Sequence, residues 1–302
     1  MAISKIKIEE AIRSTTMFMN NEAIEQQFEK KVLKEMAGYK KMNGIATKEG
    51  LEAFIRQEVT SVKKIITVLG ISGEKFKRVV TMIRVGKGYT FDSEWDETRL
   101  RKELCEKQDL MDEFCELLLN GRNLDKFKSK IPRFILNDFR IDQDILNRLC
   151  NDDILRKLTK SSVSSAYNKA YANYYAQQIT EQLKAYAEQY GLHYQYAPVE
   201  GMGTTSLYAL TNTEKAIIVN FQFNLTTSKG QTDYAEDTIR PLRKKSGTKR
   251  NIVMINMLDG AGWIARASDY KKVYYDCDYF LNLQNIRRLE IIIKQTFNIS
   301  EQ

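Results

Sequence analysis

The sequence predicts an α+β chain in which a helical N-terminal domain, residues 1–160, precedes an α/β domain, residues 162–302, with a mixed sheet flanked by helices. A change of hydrophobic period is the first observation behind this. Up to Tyr190 apolar residues recur every three or four positions, the spacing that gathers them on one helix face. After Gly191 they alternate or run together in short branched stretches, as in strands. The second observation orders the strands: a helical segment stands between two branched stretches, the pattern of a parallel pair joined by a crossover helix.

In the first part, Ile24, Phe28, Val32 and Met36 mark one helix, and Leu51, Phe54, Ile55, Val59, Val62 and Ile66 another. Gly70 ends a helix, and Ser72 precedes an amphipathic run through Phe76, Val79, Val80 and Ile83. Residues 51–85 are therefore a candidate helix-turn-helix, with Lys75, Lys77, Arg78 and Arg84 placed to meet phosphates. Two helices on a short turn are equally the ordinary joint of any helical domain, so both readings stand. Gly86–Glu97 reads as a loop and Glu97–Asn120 as a helix with a stripe of Leu100, Leu104, Phe114, Leu117 and Leu118. Ile131–Phe139, which contains Pro132, reads as a linker or packed turn. A helix rich in tyrosine follows from about Ser164 to Tyr190, its rings serving the core or a protomer contact, and Gly191 stops it.

Strands are expected at His193–Tyr196, Leu207–Leu210, Lys215–Phe223, Asn251–Met257 and within Tyr274–Phe280. Gln231–Leu242 is the intervening helix, and Gln284–Phe297 a closing amphipathic one.

A chain of 302 residues suits about two domains, and 43% hydrophobic with 28% charged residues and three prolines describes a folded protein. The apolar stretches Ala216–Val219 and Ile291–Ile293 fall far short of the ~20 residues that span a bilayer, and no signal-peptide pattern opens the chain, so a cytoplasmic protein without a membrane partner is expected. Cys105, Cys115, Cys150 and Cys277 form no CxxC pair and His193 is the single histidine, which argues against zinc and against a histidine-based triad. The net charge of +8 has one local concentration: Arg240, Arg243, Lys244, Lys245, Lys249 and Arg250 lie within eleven residues that hold no acid. Such a run can neutralise several DNA phosphates, or it can be a solvated loop between two elements.

Three stretches carry a resemblance. Val219-Asn220-Phe221 ends a branched strand and is followed by a polar loop ending in Ser228-Lys229. A second strand runs into Asp259-Gly260-Ala261-Gly262-Trp263, and Tyr279-Phe280-Leu281-Asn282 precedes the last helix. Their order and spacing resemble the GATC-cutting type II restriction endonucleases of the Dpn and Mbo kind, within the PD-(D/E)XK nuclease superfamily. The resemblance implies a PD-(D/E)XK-like core, DNA as partner, a homodimer or a partner nuclease subunit, and Mg²⁺ as cofactor if the protein cuts DNA and none otherwise.

The family's second metal-binding carboxylate falls at Ile218, and its first should fall among Thr205, Ser206 and Leu207. Asn220 and Lys229 keep the matching places, but isoleucine offers no ligand and a hydroxyl only a weak neutral one. The resemblance thus implies a nuclease centre without its acids, with Ser206 and Ile218 at the empty positions. Glu181, Glu200, Asp233, Glu236 and Asp237 are the acids that a relocated centre would use; Asp233, Glu236 and Asp237 equally suit the first turns of a helix. Asp259 is expected to shape its turn, with the glycines allowing tight backbone. Three functions remain open: a DNA-binding protein of a restriction-modification or defence system without cleavage, an active endonuclease with displaced acids, and a helical protein-interaction adaptor.

Overall fold

A computed structural model describes residues 3–249 and 251–299; Arg250, one of the expected phosphate contacts, lies outside the described residues. The chain is mixed α and β and forms two compact units, one of residues 26–164 and one combining the segment up to Glu25 with the chain from Ser165 onward.

The helices are α1 (Ile8–Arg13), α2 (Glu22–Lys40), α3 (Lys48–Gln57), α4 (Ser61–Leu69), α5 (Gly73–Gly86), α6 (Glu97–Glu106) and α7 (Gln108–Asn120). Three short ones follow, α8 (Asp125–Lys128), α9 (Arg133–Leu136) and α10 (Gln143–Leu149), and then the long α11 (Asp152–Tyr190).

In the helical unit local chemistry fixes the ends. Gly70 caps α4 at φ 67°, a conformation that costs a glycine little, and the Ser72 hydroxyl accepts from the Lys75 N–H to start α5. Phe76 stacks on Phe139 at 6.0 Å and meets Phe114 edge-on at 5.9 Å, so Ile131–Phe139 is the packed turn, held by the buried Ile131, Leu136 and Phe139 while Phe134 stays exposed. Two expectations change here. Val59 is exposed because the chain turns between α3 and α4, and the helix expected over Glu97–Asn120 is broken at Lys107, whose backbone is extended. The Lys107 ammonium lies 4.6 Å from the Tyr89 ring centroid and 5.6 Å from that of Trp95. Trp95 also receives the buried Arg84 guanidinium at 4.0 Å, a cation–π contact that closes the loop ahead of α6.

Lys64 is buried on α4, where its ammonium meets Glu58 at 3.0 Å. Burial opposes ionisation of Glu58, yet hydrogen bonds from Thr60 and Lys64 hold its carboxyl down to about 2. A depressed carboxyl stabilises the fold above its unfolded range, near 4.5, and that contribution is lost as pH falls toward about 2. Glu58→Gln is therefore expected to melt lower than the parent at pH 7 and to lose less between pH 4.5 and 2. Thermal melts across that window check it; parallel pH curves would remove Glu58 from the acid limb.

The second unit contains a five-stranded sheet in the order β1 (His193–Pro198), β2 (Ser206–Thr211), β3 (Ala216–Phe223), β4 (Ile252–Asp259) and β5 (Tyr279–Leu281). The first three strands form an antiparallel meander, and β4 and β5 then add in parallel. The crossover from β3 to β4 is α12 (Lys229–Asp233), a π-helical turn (Tyr234–Ile239) and α13 (Arg240–Ser246). After β4 come α14 (Ala261–Ala265), α15 (Ala267–Tyr275) and, past β5, α16 (Arg288–Phe297).

Strand alternation gives the sheet two apolar faces. On one, Leu210, Ile217, Val219, Phe223 and Ile255 pack against Tyr171, Tyr175, Ile179 and Leu183 of α11 and Leu289 and Ile293 of α16. The tyrosine-rich helix thus serves the core. On the other, Leu207, Ala209, Ile218 and Met254 meet Ile239, Leu242, Tyr270 and Val273 from the crossover and α15.

The N-terminal segment departs from the expected boundary. Ile6 and Ala11 are buried in this second face, and Gly260 and Ala261 N–H groups donate to the Thr16 and Met17 carbonyls at 2.8 and 2.9 Å. Residues 3–25 therefore belong to the α/β unit and not to the helical one.

Candidate nucleic-acid interface

The ladder between β2 and β3 covers only Ala209–Thr211 against Ala216–Ile218. Beyond it lies a cleft of about 420 Å³ with Ser206, Leu207 and Tyr208 on one side and Val219, Asn220 and Phe221 on the other. Tyr234, Asp237 and Thr238 of the π-helical turn, Lys245 of α13, and Tyr196 of β1 complete its walls. A π-turn widens the helix by one residue and so re-aims side chains, and such turns are frequent at functional sites.

Asn220 faces this cleft, and its amide nitrogen donates to the Asn256 side-chain oxygen at 3.0 Å. Asn256 is buried and in turn donates to the carbonyls of Val273 at 2.8 Å and Asp276 at 3.2 Å. The pair is therefore held rigid across the parallel strands. Ile218, two residues earlier on the same face, is fully buried among Leu207, Ala209, Ile239 and Leu242. Alternation along β2 turns Ser206 to the opposite face, so the residues beside Ile218 and Asn220 are Leu207 and Ala209. This corrects the choice of Ser206 as the neighbour of Ile218.

A hard divalent cation needs several oxygen ligands, and an isoleucine, a leucine and an alanine supply none. The residues where the resemblance expects the acids do not fit Mg²⁺. Among the described residues no three His, Cys, Asp or Glu side chains are grouped as a metal site requires.

The relocated acids are scattered. Glu181 is exposed on α11 and accepts from Gln177, and Glu200 sits in the loop between β1 and β2. Asp233 lies 4.0 Å from the exposed Lys229, and neither lines the cleft. Glu236 is committed to Lys272 at 2.8 Å and to Arg240, and the Lys272 hydrogen bond holds its carboxyl below the usual range. Only Asp237 of these acids is a cleft residue.

The first part of the basic run, Arg240 to Lys245, is helical, Lys249 lies past the end of that helix, and the members divide. Arg240 pairs with Glu236 and reaches Asp276 at 3.8 Å, and Arg243 pairs with Asp278 at 2.7 Å. These two arginines tie α13 to the segment before β5. Lys244, Lys245 and Lys249 point outward; the Lys245 ammonium donates to the Met202 carbonyl at 3.1 Å on the rim of the cleft. Gly201 and Gly203, at φ 78° and 100°, leave room for Lys249 and Lys245, since an added Cβ would come within 3.1 and 3.0 Å of them.

In the helical unit the basic side chains of α5 are largely spoken for. Lys75 bridges to Asp138 at 3.0 Å, Arg78 pairs with Glu94, and Arg84 is buried, so the helix does not present the row of free cations expected of it.

Asp259 does more than shape a turn. It is buried, its two oxygens accept from the Thr16 N–H at 2.6 Å and the Leu283 N–H at 2.8 Å, and burial pushes its carboxyl up to about 7 against those two donors. His193 is an exposed strand residue.

No helix among the described residues is long and apolar enough to cross a membrane. Comparison with protein-family models, with curated proteins and with solved structures finds no match.

Proposed function

We propose that this chain is a restriction-endonuclease-like protein that binds duplex DNA without cutting it, as the recognition component of a restriction-modification or defence system. The observation that carries the proposal is the pairing of two features at one place. Beside the cleft at the fork of β2 and β3, Leu207 and the buried Ala209 and Ile218 stand where the nucleases it resembles hold their metal, and the exposed Lys245 lies on the cleft's rim. The helix, meander, helix and parallel strand in this order also support the reading. It acts as a symmetric homodimer or beside an active nuclease subunit.

The cations that face solvent, not those locked to acids, define the DNA contact. Replacing Lys244, Lys245 and Lys249 together by alanine is expected to lower duplex affinity on the order of 10–100-fold and to flatten the salt dependence by about one unit of slope per lost phosphate contact. Anisotropy titrations on duplexes at several salt concentrations measure both. Unchanged slope and affinity would remove this surface from DNA binding, and absence of duplex binding by the parent would overturn the proposal. Appearance of Mg²⁺-dependent cleavage in the parent would move the function to an active endonuclease and make Asp237 the first acid to replace.

A further inference from the structure

We infer that the helical unit holds a binding site for the diphosphate group of a small molecule, built by Arg122, Lys128 and Arg133 around one cavity. Every residue of this site lies within residues 26–164, so it stands independently of the DNA-binding cleft.

The three cations come from three short elements of one stretch. Arg122 lies in the 3₁₀ turn Gly121–Asn123, Lys128 ends α8 and Arg133 begins α9. With Asn123 and Asn137 they line a cavity of about 650 Å³ that also has the apolar Ile131 and Leu136 in its wall. Those two residues and Phe127 are buried, and the Ile131 N–H donates to the Phe127 carbonyl at 2.8 Å. The backbone that carries the cations is thus fixed on the core, which lowers the cost of ordering the site around a ligand.

Their charge is largely unspent. Arg56, Arg78, Arg99, Arg140 and Arg156 of the same unit each pair with a carboxylate. Among the described residues the guanidinium groups of Arg122 and Arg133 have no hydrogen bond or ion pair. The acids that follow in sequence are already engaged: Asp138 by Lys75 at 3.0 Å, and Asp142 and Asp144 by Arg140. Asp125 meets Lys128 at 3.0 Å, but its side chain is 96% exposed, and so open a pair competes weakly with a ligand.

Cations set around a concavity suit oxygens that point in several directions. A diphosphate presents these, and guanidinium forks match its oxygens in pairs, whereas a planar carboxylate faces one way. The Asn123 and Asn137 amides add uncharged donors. A duplex backbone is met by stripes of cations along a face; here they surround a volume within the range of small-ligand sites.

Calorimetric titration of the full chain with inorganic pyrophosphate, without Mg²⁺, tests the site. The parent should bind it more tightly than orthophosphate or citrate. Arg122→Gln and Arg133→Gln should each weaken pyrophosphate roughly tenfold or more, the scale of a lost hydrogen bond to a charged group. Asp125→Asn, which frees Lys128, should tighten it by up to about fivefold, a gain that a purely structural role would not produce. Joint replacement of Lys244, Lys245 and Lys249 by alanine should leave it unchanged. Both arginines are exposed, so their variants should melt with the parent. If either melts early, Asp125→Asn decides, and unchanged or weaker binding there overturns the site. Absence of pyrophosphate binding, an affinity that ignores both arginines, or citrate bound as tightly as pyrophosphate would each overturn it too. Displacement of pyrophosphate by a duplex that itself needs Arg122 and Arg133 would make the cavity a nucleic-acid contact and overturn the small-molecule site.

Discussion

Gly260→Ala is expected to destabilise the α/β unit by about 2–6 kcal/mol, the combined scale of backbone strain and overpacking. Gly260 sits at φ 104°, and a Cβ there would stand 2.2 Å from the Asn224 carbonyl oxygen. That oxygen cannot retreat cheaply, because it accepts from the Gly262 N–H at 2.9 Å, while the Asn224 N–H donates to the Asp259 carbonyl at 3.1 Å. Gly260 is itself pinned to Thr16. Thermal melts followed by circular dichroism should fall by roughly 5–20 °C. Gly88→Ala is the control: its φ is 85° but nothing lies within 4 Å of its added Cβ, so it carries strain without collision. Equal losses at the two positions would mean that the turn around Gly260 yields and that the collision contributes nothing.

The second large effect concerns the missing acids. Leu207→Asp combined with Ile218→Glu places two carboxylates in a fully apolar part of the core, on the face that Asn220 shares. Without metal the double variant should lose several kcal/mol, since each buried unpaired charge is costly. If the cleft retains the frame of a two-carboxylate metal site, millimolar Mg²⁺ should return about 2–3 kcal/mol of that loss at a hundredfold excess over its dissociation constant, and leave the parent unmoved. Nicking of duplex DNA would then appear in the double variant alone. Ser206→Asp in place of Leu207→Asp is expected to give neither response, because Ser206 points to the other face. A double variant that melts early and ignores Mg²⁺ would show that the frame is gone as well as the acids.

Much of the fold could be read from the chain because period is a local property. KAIIVNFQF and NIVMINM announce β3 and β4 by branched residues in short runs, and Gly70, Ser72 and Gly191 act where their chemistry places them. Partners distant in sequence could not be read. Arg240 and Arg243 stand in a run without acids, yet Asp276 and Asp278 arrive from beyond α15 to neutralise them. Lys75 and Arg78 look like phosphate ligands until Asp138 and Glu94 are folded against them. The cleft itself had a partial signal: Asn220 marks it, but Asp237 reaches it through the π-helical turn and Lys245 through the helix that follows, and no periodicity announces that turn.

The N-terminal segment has a consequence for synthesis. The bond from the Thr16 N–H to Asp259 closes a loop of 243 residues, and Tyr274 holds the Ile6 carbonyl across 268. On the ribosome, residues 3–25 are made before the helical unit, but β4, α15 and β5, which they pack against, are made after it. Residues 26–164 have all their contacts of the compact unit available early, while the leading segment must wait with Ile6, Ile8, Ala11 and Ile12 uncovered. Docking of this segment onto β4 and α15 must therefore wait until both have been made. Nascent chains arrested before Asp259 should hold a protease-resistant helical unit behind a leading segment that trypsin still cuts at Lys7 and Arg13.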